Sequence, residues 1–262
     1  MKEWKGDSPR VAIILPMYNE EDSIAALQAM FDENPALLPG YDCRIVVVDD
    51  GSRDSTRELV LRWSLQNSRV TIVSHLQNMG LGQAILTGFG EAIGMGADCV
   101  ITMDADASHT EKVINQMVEV LQKGADIVIA SRFAKGGGQI GVTGGRQILS
   151  WGARQLLKLV FNIRGVTDYT INFRAYRTDL LKDALAKSQS PFLVLRSFAA
   201  VVELLLKLVP LAEKIAEVPL VLRYDFKKSP SKLRIMATIA DYLRLCLMPK
   251  ERGVLGTGLK IL

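Results

Sequence analysis

Between residues 11 and 130, short apolar segments alternate with segments of helical spacing, and this alternation restricts the fold class. The length of each apolar segment is typical of a buried strand; these segments are Val11–Leu15, Arg44–Val48, Val70–Val73, Cys99–Met103 and Ile127–Ala130. The helical segments between them are Glu20–Phe31, Asp54–Leu65, Gly80–Ile93 and Thr110–Gln122. Strands joined through helices pair in parallel. The sequence therefore predicts an α/β fold with a mostly parallel central sheet flanked by helices.

The pattern changes after Ala130. Residues 135–145 contain six glycines, which favours a mobile loop. Beyond this loop, the sequence predicts helices at Gln147–Ile163, Phe198–Leu208 and Leu233–Met248. It predicts strands at Asn172–Tyr176 and Val218–Leu222. We expect one α/β domain over residues 8–225 and a basic C-terminal segment with a helix over residues 226–262.

Charge is distributed unevenly along the chain. From Arg223 onward there are nine basic and three acidic residues, a net +6, whereas residues 1–222 carry −2. A basic tail favours a phosphate-bearing partner. Nucleic acid is disfavoured, because the tail has few aromatic residues for base stacking. No run of about 18 apolar residues lacks a charge, so we expect no membrane-spanning segment.

The three cysteines, Cys43, Cys99 and Cys246, are far apart in the sequence. They form no zinc-binding pattern and no disulfide framework. This favours reduced thiols and a cytoplasmic protein.

Two carboxylates follow the fourth predicted strand, in Asp104–Ala105–Asp106. In extended backbone, residues i and i+2 point to the same side. Two carboxylates on one side repel each other unless a cation lies between them, and oxygen ligands suit magnesium or manganese. The alternative is a solvated acidic turn.

Other strand ends also carry polar residues, and ligands of parallel sheets bind at the carboxyl ends of strands. Tyr18 could stack on a base, and Asp50 could accept hydrogen bonds from a ribose or a base, although both positions also suit ordinary turns and caps. Basic residues that could contact phosphate are Arg132, Arg146, Lys228 and Lys232. Each of them could equally be a solvated surface charge.

Taken in order, these segments resemble a known family. LPMYNEE, VVVDDGSRDST, NMGLGQAILTGF, MDADASH and ASRF, with the later segment DYTINFRAY, are similar to the motifs of family 2 inverting glycosyltransferases with the GT-A fold. Within that family the chain resembles dolichol-phosphate (polyprenyl-phosphate) mannosyltransferases and glucosyltransferases. The resemblance covers about residues 10–245.

The resemblance implies a donor, an acceptor and a set of site residues. The donor would be a nucleotide sugar, GDP-mannose first and UDP-glucose as the alternative, and the acceptor a polyprenyl phosphate. The implied nucleoside-binding residues are Pro16, Tyr18, Glu20, Val48 and Asp50. The implied metal and catalytic residues are Asp104, Asp106, Ser108, Arg132, Arg146 and Lys232. Further substrate-binding candidates are Ala105, Ser150, Asp168 and Lys228.

Some positions depart from the family pattern. Ser108 stands where relatives often have a glutamine that binds the metal, and Asn172 replaces the glycine of a Gly-Phe-Arg motif. The acceptor is a separate question, because a hydroxyl acceptor needs a base whereas a phosphate is already mostly ionised at pH 7. The basic tail favours phosphate, and a soluble hydroxyl acceptor is the alternative.

A long-chain lipid acceptor requires contact with a membrane. The helices predicted at Gln147–Ile163 and Leu233–Met248 combine apolar faces with basic residues, which is typical of interfacial helices. We therefore expect peripheral binding at the cytoplasmic face of the membrane. The alternative is that both helices cover the sheet or form a dimer face.

Overall fold

The fold is described from a computed structural model of the 262-residue chain. The structure describes Trp4 and residues 8–34, 37–106, 110–142, 144–188, 191–223 and 235–247. For residues 144–149 and for Ile235 only the backbone is described.

Strands and helices alternate along the first half of the chain. The strands are β1 (Arg10–Met17), β2 (Asp42–Asp49), β3 (Val70–Ser74), β4 (Cys99–Thr102), β5 (Ile127–Ser131), β6 (Gly138–Ile140), β7 (Arg174–Arg177), β8 (Ile215–Pro219) and β9 (Val221–Arg223). The helices are α1 (Ile24–Asp32), α2 (Thr56–Gln66), α3 (Leu81–Gly94), α4 (Glu111–Gln122), α5 (Gly144–Phe161), α6 (Thr178–Lys187), α7 (Ala199–Leu208) and α8 (Ile235–Leu247).

Seven strands form the central sheet in the order β3-β2-β1-β4-β7-β5-β8. All neighbouring pairs are parallel except those of β7, which runs antiparallel to β4 and to β5. The register places Met17 beside Asp49 and Ile14 beside Thr102, so β1, β2 and β4 end at one edge of the sheet. The predicted α/β fold with a mostly parallel sheet is confirmed.

The core lies on both faces of the central strands. Every residue from Val11 to Leu15 is fully buried, as expected for a parallel strand covered by helices on both sides. Helix α3 approaches β1 closely at Gly88, where a Cβ atom would lie 2.4 Å from Ile14 Cγ2. A glycine at this position therefore sets the spacing between helix and sheet.

The second half of the chain differs from the prediction in three places. The glycine-rich segment is not all loop, because Gly138–Ile140 forms β6 and pairs with β9. The strand predicted at Val218–Leu222 is two strands that enter different sheets, because β8 ends at Pro219 beside β5 and β9 begins at Val221 beside β6. Helix α6 was not predicted.

Helix α8 packs against α5 and α7. Tyr242 and Leu245 are its buried anchors. No helix in the described ranges has both the length and the apolarity needed to cross a bilayer.

Candidate functional site

A cleft of about 730 Å³ opens at the edge where β1, β2 and β4 end. It brings together seven of the predicted site residues: Pro16, Tyr18, Glu20, Asp50, Asp104, Ala105 and Asp106. Val48 is predicted with them but is fully buried within β2. The topology explains the convergence, because these segments follow neighbouring parallel strands.

The turn that carries Tyr18 is tied to the turn after β2. Asn19 has a φ of +54°, a left-handed conformation that asparagine tolerates. Its backbone N–H donates to Ser52 Oγ at 3.0 Å, and its side-chain Oδ1 accepts from the N–H of Arg53 at 2.8 Å. The N–H of Glu20 donates to Thr56 Oγ1 at 2.8 Å. These contacts hold two walls of the cleft in one arrangement.

Asp50 is held by the loop that follows β3. Its Oδ1 accepts from the N–H of Met79 at 2.8 Å and lies 2.7 Å from His75 Nδ1, and its Oδ2 accepts from the N–H of Gly80 at 2.8 Å. The other ring nitrogen of His75 lies 3.0 Å from Thr87 Oγ1. A neutral ring with its proton on Nδ1 satisfies both contacts, donating to the carboxylate and accepting from the hydroxyl. His75, which is not among the predicted site residues, thus orients a cleft residue.

Asp104 and Asp106 lie directly after β4. The antiparallel strand β7 brings Asn172 beside them, and Asn172 Nδ2 donates to Asp104 Oδ1 at 3.2 Å. Asn172 is itself fixed, since its carbonyl oxygen accepts from Thr102 Oγ1 at 2.6 Å. The residue that departs from the family's Gly-Phe-Arg pattern therefore orients one of the two carboxylates.

The carboxylate pair fits a divalent cation by its donor chemistry. Magnesium and manganese prefer oxygen ligands, and magnesium is commonly held by one or two carboxylates together with substrate phosphates. Within the described ranges no three His, Cys, Asp or Glu side chains are grouped to hold a metal ion. Asp104 and Asp106 would therefore share such a cation with oxygens from a ligand. Ser108, the third predicted metal ligand, lies outside the described residues.

Arg132 and Asp168 form a buried ion pair. Asp168 Oδ2 accepts from Arg132 Nε at 2.7 Å and Oδ1 accepts from Arg132 Nη2 at 2.7 Å. Burial raises the pKa of Asp168, but the charge and hydrogen bonds of Arg132 outweigh burial and hold that pKa below its usual range. Neither residue lines the cleft. Two predicted site residues thus bind each other and do not face the cleft, because a buried carboxylate requires a cationic partner.

Glu217 on β8 holds the backbone of the segment around Asp168. Glu217 Oε1 accepts from the N–H of Thr167 at 2.6 Å and from the N–H of Asp168 at 3.0 Å. Sequence reasoning did not identify Glu217. It stands alone between two apolar residues, one position before the strand predicted at Val218–Leu222, and gives only a weak signal.

The far wall of the cleft comes from residues that the sequence did not mark. They are Arg196, Ser197 and Phe198 before α7, and Ala237, Thr238 and Asp241 on α8. The guanidinium of Arg196 donates to the carbonyl oxygens of Asn78 and Met79 at 2.7 and 3.0 Å, which joins this wall to the loop that holds Asp50.

Glu203 fixes the loop that carries Arg196. Its carboxylate accepts from the N–H groups of Val194 and Leu195 at 3.1 and 2.9 Å and pairs with Lys207 Nζ at 2.9 Å. In the sequence, Glu203 and Lys207 are the two charges of the apolar segment AAVVELLLKL and stand four residues apart, a spacing that predicts an ion pair on one helix face.

The remaining predicted residues lie elsewhere. Ser150 is half-buried on α5 and does not line the cleft. Arg146 belongs to the part of α5 described by its backbone alone, and Lys228 and Lys232 lie outside the described residues.

Comparison with known proteins identifies the family. Residues 12–185 match the family described as glycosyl transferase family 2. The chain is 32% identical over 236 residues to a dolichol-phosphate mannosyltransferase of Pyrococcus furiosus, covering 90% of this chain and 62% of that protein. It is 29% identical over 215 residues to an undecaprenyl-phosphate mannosyltransferase of Micrococcus luteus, covering 80% of this chain and 82% of that protein. The chain thus spans less than two thirds of the Pyrococcus relative.

Solved structures share the fold. Glucosyl-3-phosphoglycerate synthase from Mycobacterium tuberculosis, solved with Mn²⁺, UDP and glucosyl-3-phosphoglycerate, superposes with a TM-score of 0.65 at 22% identity, covering 92% of this chain and 81% of that one. A mannosyltransferase from Pyrobaculum calidifontis, solved with GDP-Man and Mn²⁺, gives a TM-score of 0.57 at 18% identity, covering 86% and 58%. The expected GT-A fold is confirmed, and the family match over residues 12–185 shows that this chain belongs to glycosyl transferase family 2.

Proposed function

We propose that this chain transfers a hexose, mannose in the first place, from a nucleotide sugar to a polyprenyl phosphate with inversion at the anomeric carbon. The observation that carries the proposal is the cleft in which Asp104 and Asp106 share one cavity with the residues after β1 and β2. In this proposal a nucleoside and a cation that binds the diphosphate would occupy neighbouring parts of the cleft. Relatives named for mannosyl transfer to dolichol phosphate and undecaprenyl phosphate support the choice of acceptor.

The nucleoside would occupy the end of the cleft formed by β1 and β2. Tyr18 offers a ring for stacking, and Glu20 and Asp50 offer carboxylates to a ribose or a base. A carboxylate has about four acceptor sites, and the described residues occupy three of those of Asp50. The fourth site would accept a hydrogen bond from a ligand. Because the loop after β3 fixes Asp50, this acceptor is oriented before a ligand binds.

The diphosphate would lie at Asp104 and Asp106. A bound magnesium or manganese ion would neutralise the negative charge that develops on the leaving diphosphate. Asn172 holds Asp104 by a hydrogen bond to Oδ1, which limits rotation of that carboxylate. The pair would thereby be set to receive its cation at the end of β4.

The proposed transfer is a direct displacement at the anomeric carbon. An acceptor phosphate oxygen forms the new bond to that carbon while the bond to the diphosphate oxygen breaks, and the nucleoside diphosphate leaves with the electron pair. No proton has to be removed, because a phosphate monoester with a second pKa of about 6 is mostly ionised at pH 7. Arg146, Lys228 and Lys232 stay as proposed phosphate contacts, whereas the Arg132 charge is paired with Asp168.

A second candidate acceptor is a hydroxyl, and Asp241 favours it. This carboxylate lies on the far wall of the cleft and could take the proton of an attacking hydroxyl. Four other acidic residues in the second half of the chain are unsuited to this role. Asp168 and Glu203 are buried in ion pairs, and Asp179 and Asp183 are exposed on α6. Replacement of Asp241 by Asn would lower the rate with a hydroxyl acceptor by about 100-fold or more.

Peripheral membrane binding is part of the proposal. Four apolar residues spaced by three or four positions on α8 are exposed: Met236, Ile239, Leu243 and Leu247. Trp151 and Leu159 are exposed on α5, against which α8 packs. An apolar helix face beside a basic segment is typical of interfacial helices. We propose that this surface contacts the cytoplasmic leaflet.

The test is transfer of radiolabelled sugar from GDP-mannose or UDP-glucose into an organic-extractable polyprenyl-phosphate product. Transfer that requires a divalent cation and falls at least about 100-fold in Asp104→Asn and Asp106→Asn is expected. The exposed carboxylate variant Asp183→Asn is the control and should keep full activity. Labelled product that is water-soluble would support the hydroxyl acceptor, and full activity of both variants in chelator would overturn the metal-dependent mechanism.

The membrane proposal has its own measurement. Flotation with vesicles containing anionic lipid should recover the wild-type chain, and replacing Met236, Leu243 and Leu247 by Ser should abolish recovery. Equal recovery of both proteins would contradict the assignment of this surface.

A further inference from the structure

Helix α8 presents a polar pair to the cleft. Thr238 and Asp241 are three residues apart, so they lie on one face of the helix. Both line the cleft. Tyr242 and Leu245 are buried on the same side and anchor α8 against the domain. The pair is therefore part of the cleft wall.

The hydroxyl of Thr238 is buried without a hydrogen-bond partner in the described part of the chain. The residue is only 5% exposed, and buried hydroxyls are nearly always paired in folded proteins. Threonine in a helix divides between two χ1 rotamers. Rotation about χ1 could therefore present the hydroxyl to a ligand in the cleft.

Asp241 is oriented by a short relay from α7. The N–H of Ala199 donates to Ser197 Oγ at 3.1 Å, and Ser197 Oγ donates to Asp241 Oδ2 at 2.6 Å. Within the described residues, no donor is hydrogen-bonded to Asp241 Oδ1. One carboxylate oxygen is thus fixed, while the other can accept hydrogen bonds from a ligand in the cleft.

The chemistry of this pair suits a neutral sugar. A carboxylate accepts hydrogen bonds from sugar hydroxyls, and the Thr238 hydroxyl can donate or accept. A phosphate would be repelled by the Asp241 carboxylate, so the pair does not suit the diphosphate or the acceptor headgroup. The proposed nucleoside contacts come from residues after β1 and β2, whereas Thr238 and Asp241 lie on the far wall of the same cleft, on a helix that packs against α5 and α7.

We infer that Thr238 and Asp241 form a subsite for the hydroxyls of the hexose carried by the donor. The inference rests on the proposed function, because it assumes that a nucleotide sugar occupies the cleft. It assigns donor-sugar recognition to a helix in the C-terminal part of the chain, outside the matched residues 12–185.

The experiment compares binding of a nucleotide sugar with binding of its nucleoside diphosphate, without acceptor. Calorimetry in Mn²⁺ measures Kd for GDP-mannose and GDP, and for UDP-glucose and UDP. Thr238→Val, which preserves shape, should raise Kd for the nucleotide sugar about three- to ten-fold, and Asp241→Asn about ten-fold or more. Kd for the nucleoside diphosphate should change less than about two-fold, because it lacks the hexose.

Thr178→Val is the matched control. Thr178 is also buried with an unpaired hydroxyl, but it begins α6 and does not line the cleft. This variant should bind both ligands as the wild type does. Should Thr238→Val fold poorly, Asp241→Asn on the half-buried part of α8 gives the same comparison.

The outcomes separate the two proposals. Equal weakening of nucleotide sugar and nucleoside diphosphate would place the pair at the ribose or in a purely structural role and overturn the inference. Variants that bind both ligands as the wild type does would overturn it as well. A wild-type chain that binds neither ligand in Mn²⁺ would refute the proposed function and this subsite together.

Discussion

Replacing Asp168 by Asn tests whether the buried pair with Arg132 stabilises the domain. Asp168 is 0% exposed and accepts two guanidinium hydrogen bonds of 2.7 Å. Asparagine preserves the shape but removes the charge, so the Arg132 guanidinium would be left buried without a carboxylate. Breaking one side of a buried ion pair lowers the free energy of unfolding by about 3–5 kcal/mol.

Urea denaturation followed by circular dichroism measures this loss. With a slope of about 3 kcal/mol per M of urea, the midpoint should fall by about 1–1.7 M. Asp183→Asn removes an exposed carboxylate from α6 and should change the free energy of unfolding by less than about 0.5 kcal/mol. The double variant Arg132→Met with Asp168→Leu should recover most of the lost stability, because neither charge is then unpaired.

A midpoint for Asp168→Asn within about 0.3 M urea of the wild type would refute this reasoning. The pH dependence gives an independent check. Because the folded-state pKa of Asp168 is lowered, its contribution is complete above the unfolded-state pKa of about 3.9 and is lost as pH falls through the lower folded-state value. The stability of Asp168→Asn should therefore vary less than that of the wild type across this acidic range.

Gly88→Ala should lower the free energy of unfolding by about 1–3 kcal/mol, because its Cβ would overlap Ile14 of β1. Gly90→Ala, on the open side of α3, should raise the free energy of unfolding by about 0.5–1 kcal/mol. Thermal unfolding of both variants measures the two changes. Glu203→Gln should speed hydrogen exchange at the amides of residues 194 and 195, which its carboxylate binds, and unchanged exchange would count against that role. Burial raises the pKa of Cys43 to about 11, so its thiol should stay unlabelled by iodoacetamide in the native protein at pH 8, as mass spectrometry would detect.

The first half of the fold and the carboxylate pair could be predicted because their signals are local. Apolar runs of strand length mark β1, β2 and β4, and acidic residues after strand ends point to the edge where ligands bind. The hydrophobic periodicity of the sequence does not show at which position in the sheet a later strand inserts. Strand β7 enters between β4 and β5 in the opposite direction, and this placement is what brings Asn172 to Asp104.

The far wall of the cleft could not be predicted for a related reason. Thr238 and Asp241 look like ordinary polar positions of an amphipathic helix, and only the packing of α8 places them at the cleft. The partners of Arg132 and Asp50 also depend on contacts between distant parts of the chain, with Asp168 and with His75. Residue type alone suggested ligand binding for Arg132, whereas the fold gives it a protein carboxylate.

Helix α8 has two sides with different surroundings. Its inward side borders the cleft through Thr238 and Asp241, and its outward side exposes Met236, Leu243 and Leu247. Under the proposals above, a shift of α8 at its outward side would move Thr238 and Asp241 and so change the width of the cleft. The proposed lipid contact would then alter the affinity for the donor sugar, and this affinity would differ between the free chain and the chain bound to vesicles.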